Sequence, residues 1–284
     1  MKNVLFIILG LLVFTNTNAQ IGFDNNDDDP YESLSYFMAG ANYLSNNVYM
    51  GRKDSLVIPY YSPYIGYHHK SGLYGKAIAS YNPAKAKGRI DLFTLEAGYD
   101  HSFGDHLYGG VAVDKFFYHK KSTNIRGNTV ASTSAYAQYT NDWIEPQLNV
   151  DVNFNKKTDY VLGITLDHNF KLADNKLNII PAAVMNFGTL HYYNEYFRNR
   201  LLQEDPSLKI TKEAIADASK FKPLDIELST KVTYSASRWL FTLIPVYAIP
   251  LSPASITFPT KTFNEKLTNT FYFELDICFR GTTP

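Results

Sequence analysis

The chain has 284 residues, with 27 Lys and Arg against 27 Asp and Glu, one Cys, 22 Tyr and 19 Phe. Charge balance excludes the basic footprint of a nucleic-acid binder, and a single Cys excludes a disulfide framework or a Cys-based zinc cluster. The mean hydropathy is −0.22 despite the many rings, so aromatic residues carry apolar weight that a soluble enzyme draws from Leu, Ala, Val and Ile.

Residues 1–19 have the pattern of a secretory signal peptide. Lys2 is the basic start, Val4 to Phe14 is an apolar run too short to span a bilayer, and Ala19 offers a small residue for cleavage. Residues 20–34 follow as an acidic tether. Its Asp24–Pro30 run lacks the Gly turn and distal bidentate Glu of a calcium loop, so it reads as solvated linker. No later apolar stretch is long enough for a transmembrane helix.

From residue 35 onward the apolar period is two. Phe271, Phe273, Leu275, Ile277 and Phe279 fall on one face of a strand, and Tyr272, Glu274, Asp276, Cys278 and Arg280 on the other. Residues 144–154, 160–170 and 225–234 repeat the pattern. The alternating segments predict strands near 35–50, 58–69, 72–83, 90–103, 106–119, 130–140, 143–155, 159–170, 177–192, 224–235, 238–250 and 269–280. They exceed the usual globular strand of about five or six residues and match the roughly nine to eleven needed to cross hydrocarbon. Aromatics crowd their ends: Tyr60, Tyr61, Tyr64, Tyr67, Phe116 to Tyr118, Tyr192, Tyr193 and Trp239. Connections alternate between tight turns and longer loops, with Asn155–Thr158 a short one on the long-loop side. The fold class expected over 35–284 is all-β: a transmembrane antiparallel up-and-down barrel of about twelve strands, with ten or fourteen as alternatives. The longest loop, 193–223, carries a helix-start signal at Asp205–Pro206. Ile210, Ala214, Ala218 and Phe221 would form one face of a short helix there.

These features together resemble a Gram-negative outer-membrane β-barrel protein, a likeness to the class across nearly all of the mature chain. The resemblance implies residence in the cell outer membrane, contact with its lipid, and insertion by the barrel assembly machinery. The Phe271–Phe279 alternation is similar to the C-terminal signal such barrels present, and departs from it in that Gly281 to Pro284 follow the last aromatic.

Strand phase sends Lys76, Glu96, Asp100, Asp114, Glu145, Asp151, Asp167, Asp225, Glu227, Lys231, Glu274, Asp276 and Arg280 to the lumen. Acid outweighs base in that set. An acidic ring favours cations in a pore, which makes a passive channel for small hydrophilic or cationic solutes the first expectation. A lumen packed by its own side chains, displaying long loops to a partner, is the second. Catalysis finds little support. In Asp100–His101–Ser102, neighbouring residues point to opposite faces, so His101 and Ser102 do not pair. No nucleophile-elbow, metalloprotease or P-loop string occurs. His101 and His106 flank one turn with Asp105 between, a weak metal signal, and no cofactor is expected.

Overall fold

The computed structural model describes residues 34–53, 57–83, 88–120, 122, 124, 126–207, 217–259 and 261–282. The expected leader and nearly all of the tether lie outside the described residues.

In chain order the strands are β1 (Tyr36–Leu44), the short β2 (Val48–Tyr49) and β3 (Arg52–Lys53), β4 (Tyr60–His68), β5 (Leu73–Asn82) and β6 (Arg89–Ser102). Then come β7 (Leu107–Tyr118), β8 (Ala131–Tyr139), β9 (Glu145–Phe154), β10 (Asp159–Asp167), the three-residue β11 (Phe170–Leu172) and β12 (Leu177–Gly188). Helix α1 (His191–Glu204) precedes β13 (Lys222–Ala236), β14 (Trp239–Pro250), the small β15 (Ser255–Thr257) and β16 (Thr262–Asn264), and β17 (Thr270–Thr282). The long strands pair antiparallel with their sequence neighbours. β1 pairs with β17 and with β4, and β10 with β12, which closes a twelve-strand barrel and leaves β11 as an extension of β12. Closure satisfies every ladder and removes the sheet edge.

Alternation gives the wall two faces. Outward lie Ile65, Leu95, Val113, Leu148, Ile164, Leu228, Leu275 and Ile277, all exposed. Tyr61, Tyr81, Phe117, Tyr160, Tyr247 and Phe271 ring this band at one end, and Phe37, Phe103, Tyr139, Phe170, Tyr234 and Trp239 at the other. From Phe271 to Phe279 is eight rises of about 3.3 Å, or about 20 Å along the normal of a strand tilted by roughly 40°. That spans most of the apolar band, about 25 Å tall, of a membrane barrel. Water would not leave so many large apolar side chains exposed in one continuous belt, whereas lipid requires it. The chain is a membrane β-barrel.

All of the expected strands are present, with two corrections at their ends. The 35–50 segment stops at Leu44, because residues 45–53 turn inward and form the β2–β3 hairpin. The 177–192 segment stops at Gly188, because α1 starts at His191. Among the described residues the α-helix of the long loop is His191–Glu204, and Asp205 lies at its C-terminal end; the segment that the Asp205–Pro206 signal would start falls mostly outside the described residues. Of the expected helical face, Ile210 and Ala214 lie outside the described residues. Ala218 sits in a 3-10 turn (Asp217–Ser219), buried, and Phe221 is exposed.

Candidate functional site

The start of β1, the end of β17 and the tight turns share one end of the barrel, and the long connections share the other. At the long-loop end the β2–β3 hairpin folds into the mouth. Met50 (φ 49°) and Gly51 (φ 71°) form its two-residue turn with positive φ at both positions, the turn that matches strand twist. A Cβ at Gly51 would lie 2.9 Å from the Asp225 side chain and 3.0 Å from Pro250, so the turn rests directly on the barrel wall.

Two arginines supplied by loops fix this hairpin. Arg126, from the 119–130 connection, stacks 4.3 Å from the Tyr49 ring centroid and 5.0 Å from that of Phe116. Its Nη2 donates to Asn153 Oδ1 (2.9 Å), and Asn153 Nδ2 donates in turn to the Tyr49 hydroxyl (3.1 Å). Arg52 donates to Met50 O (3.0 Å) and to Ser252 O, and faces Glu265 at 3.4 Å and the Tyr193 ring at 5.1 Å. Both guanidiniums are buried. Burial raises the Tyr49 phenol well above its ordinary pKa, with the Arg126 charge opposing, so the ring stays neutral.

Helix α1 lies over the same mouth. Leu190 at its N-terminus supplies no side-chain cap. Asp159, at the start of β10 and 0% exposed, does so from across the loop. It accepts from the amides of His191 (2.7 Å) and Tyr192 (2.8 Å) and from the Thr189 hydroxyl (2.7 Å). Tyr49, Met50, Val161, Leu190, Tyr192, Tyr193, Leu224 and Ala254 then pack as one apolar cluster that joins hairpin, helix and wall. A second cluster, Leu44, Val48, Ile58, Tyr60, Ile244, Val246, Ala248 and Tyr272, fills the neighbouring side.

The inward residues named from strand phase sort by depth. Asp114, Asp151, Asp225, Glu227, Glu274, Asp276 and Arg280 are all buried. Asp114 accepts from Ser132 (3.0 Å), Asp225 from Asn186 (2.9 Å), Glu274 from Asn42 (3.2 Å), and Asp276 from Tyr64 (3.0 Å), whose ring lies across Gly40. Nearer the tight-turn end, Lys76 pairs with Glu96 (3.0 Å), Asp100 accepts from Tyr136 (3.1 Å) and Glu145 from Gln138 (3.2 Å). These residues, with Asp167 and Lys231, are only partly buried. Asp225 and Glu227 thus lie beneath the hairpin turn and Asp114 and Asp151 beside Arg126, whereas Asp276 neighbours Lys76 and Arg280 lies at the tight-turn end, bordering a wetter vestibule.

Besides Asp159, strand phase missed three charged groups of this interior. Asp91, 0% exposed, accepts from Tyr60 (2.7 Å), Arg89 (2.9 Å) and Ser122 (2.6 Å). A register shift between Ser80 and Tyr81 puts an extra residue in β6, which turns Asp91 inward out of phase with Glu96. Arg52 and Arg126 come from connections that carry no period to read. Buried Asp91 and Asp159 offset the two arginines, so the acid excess read from the strands stays as it was. Several aromatics read as girdle also point in: Tyr60, Tyr64 and Phe116 are buried.

His101 stacks against Tyr99 and meets Phe103 edge-on, while the Ser102 hydroxyl donates to Gly104 O (2.7 Å), so the two stay apart. Among the described residues no group of three or more His, Cys, Asp or Glu is placed to hold a metal.

No family model matches the chain, and no curated protein matches it. Among solved structures it is similar to a KdgM porin (8% identity, TM-score 0.47, covering 87% of this chain and 98% of that one). It is also similar to the translocator domain of the autotransporter NalP from Neisseria meningitidis (11%, TM-score 0.46, 92% and 91%) and to LpxR from Salmonella typhimurium (11%, TM-score 0.43, 85% and 99%). At such identities and scores nothing about cargo or chemistry passes from them to this chain.

Proposed function

We propose that this protein is an integral outer-membrane barrel, exported by a cleaved signal peptide, whose lumen is sealed in its resting state and whose rigid long-loop cap is its working surface. The observation that carries this reading is the burial of Arg52 and Arg126 over the deep carboxylates. A passive pore for hydrated solutes needs charged lining groups that water reaches. Here Asp114, Asp151 and Asp225 are at most 1% exposed beneath two stacked arginines and an apolar cluster. The assignment to the outer membrane rests on the lipid-facing belt, the closed antiparallel sheet and the leader-like N-terminus.

A second reading, a gated cation-preferring channel, is favoured by one feature. The plug is a two-strand hairpin attached by its ends, and the wall beneath it is acidic. Planar-bilayer recording of the refolded chain separates the two. The sealed reading expects silence from the intact protein, and a steady open current from the intact protein overturns it. Excision of residues 46–54 separates a plug from a filler. A cation-selective current after excision makes the hairpin a gate, and continued silence makes the interior packed throughout. On either reading the chain carries no catalytic role, which lipid and peptide cleavage assays of the wild type against His101→Ala test.

A further inference from the structure

The β9–β10 turn (155–158) is the one short connection noted at the long-loop end, so it leaves a low point in the rim over which α1 lies. A cavity of about 160 Å³ opens there, lined by Lys156, Lys157, His191, Asn194, Glu195 and Arg198. Its charge is lopsided. Lys156 bridges Glu195 at 2.6 Å and Arg198 approaches the same carboxylate at 3.7 Å, so one acid faces three permanent cations. Lys157 is exposed and makes no ion pair among the described residues.

The hydrogen-bonding inventory is also incomplete. Asn194 is 7% exposed, and neither its amide nitrogen nor its amide oxygen has a hydrogen-bond partner. The Arg198 Nε is buried and likewise unbonded. Buried polar groups are nearly always satisfied, so a side chain with both an idle donor and an idle acceptor implies a ligand offering the complement. Cations with idle N–H donors suit the oxygens of an anion, and phosphate presents enough of them to meet several donors at once. The Asn194 carbonyl oxygen needs a donor, which a sugar hydroxyl supplies. The α1 N-terminus contributes nothing, because Asp159 already occupies it. The volume falls below the roughly 300 Å³ at which whole-ligand pockets begin, so it suits one charged headgroup. Tyr160, outward and exposed, marks the membrane border beside the turn, which puts the cavity at the level of headgroups.

We propose that this rim cavity binds a phosphomonoester on a sugar, with Lys157 and Arg198 on the phosphate and Asn194 on both phosphate and hydroxyl. The same chemistry comes from a soluble sugar phosphate or from a phosphorylated lipid headgroup. The site is independent of whether the lumen conducts.

The test uses the full chain in phosphatidylcholine nanodiscs, titrated calorimetrically at fixed ionic strength with glucose 1-phosphate, inorganic phosphate and glucose. Saturable binding of glucose 1-phosphate is expected, weaker for inorganic phosphate and lost for glucose. Lys157→Gln and Arg198→Gln should each weaken it about tenfold, the loss of one charge-assisted contact. Lys157 lies on an exposed turn, so its replacement leaves the fold intact, as unchanged heat-modifiable mobility on gels verifies. Discs doped with phosphatidylinositol 4-phosphate, which carries a phosphomonoester on a hydroxylated ring, identify the source: competition assigns the site to a lipid headgroup, and unchanged affinity assigns it to a soluble ligand. Absence of saturable binding at millimolar glucose 1-phosphate, or affinity unchanged in Lys157→Gln, overturns the proposal.

Discussion

Arg126→Ala removes the group that joins the 119–130 connection to the plug. Three contacts go at once: stacking on Tyr49 at 4.3 Å, stacking on Phe116 at 5.0 Å, and the hydrogen bond to Asn153 at 2.9 Å. Desolvated cation–π pairs contribute up to about 2 kcal/mol each, and a hydrogen bond from a charged donor about 1.5–3 kcal/mol. Allowing for overlap, the hairpin should lose about 3–5 kcal/mol of docking energy, with part of the cost coming from the loss of the Arg126 charge beside Asp151 and Asp114. The lower figure multiplies the open fraction by about 150. Arg52 sits in the hairpin and is 2% exposed when docked, so in a Lys53→Gln background trypsin cleavage after Arg52 reports undocking. Cleavage should accelerate by about two orders of magnitude while the strand ladder, untouched by the change, keeps its heat-modifiable mobility. Arg126→Lys should fall between, since it retains the charge and loses the planar stack. A cleavage rate in Arg126→Ala equal to wild type would refute the argument that this residue holds the plug.

Three further outcomes follow from the same geometry. Asp159→Ala removes the remote cap of α1 and four hydrogen bonds, from Asn155, Thr189, His191 and Tyr192, so amide exchange at His191 to Asn194 should accelerate at least tenfold, about 1.4 kcal/mol, with the barrel amides unchanged. Burial, aided by Lys157 and opposed by Asp159, holds the His191 imidazole below its ordinary pKa of 6.5, so the docked helix keeps it neutral. The undocked state binds the proton more readily, so docking is complete above 6.5 and weakens as pH falls below it. Protection of the α1 amides, with the base-catalysed intrinsic rate divided out, should fall on acidification, and His191→Asn should flatten that profile. Tyr64→Phe deletes the donor to buried Asp276 (3.0 Å) at constant shape and should lower resistance to denaturant unfolding by about 1–3 kcal/mol.

The barrel was legible in the chain because its wall obeys one rule throughout. Each strand has lipid on one side and lumen on the other, so period-two patterning gives both strand and phase, as in Phe271 to Arg280. The rule fails where a residue leaves the wall. A bulge reverses phase at Asp91, and no alternation announces it. The β2–β3 hairpin continues the apolar character of β1, so Val48 and Tyr49 read as more strand until the Met50–Gly51 turn is seen to bend the chain inward. Helix α1 is rich in Tyr and Phe and begins after Leu190, with its cap held by a residue thirty positions earlier, so no local start signal announces it. Arg52 and Arg126 were invisible for the same reason. Their role depends on where loops fold, and only tertiary packing decides that. The sequence therefore described the wall well and its contents poorly.

The seal can be read directly at Ser134, an inward residue of β8 that is 6% exposed below the hairpin and small enough to accept a thiol. Ser134→Cys in a Cys278→Ser background, treated on intact cells with a charged, membrane-impermeant methanethiosulfonate, measures whether water and ions enter the lumen from the long-loop side. The account predicts negligible labelling of the full-length protein and rapid labelling once residues 46–54 are excised. Rapid labelling of the full-length protein would contradict it.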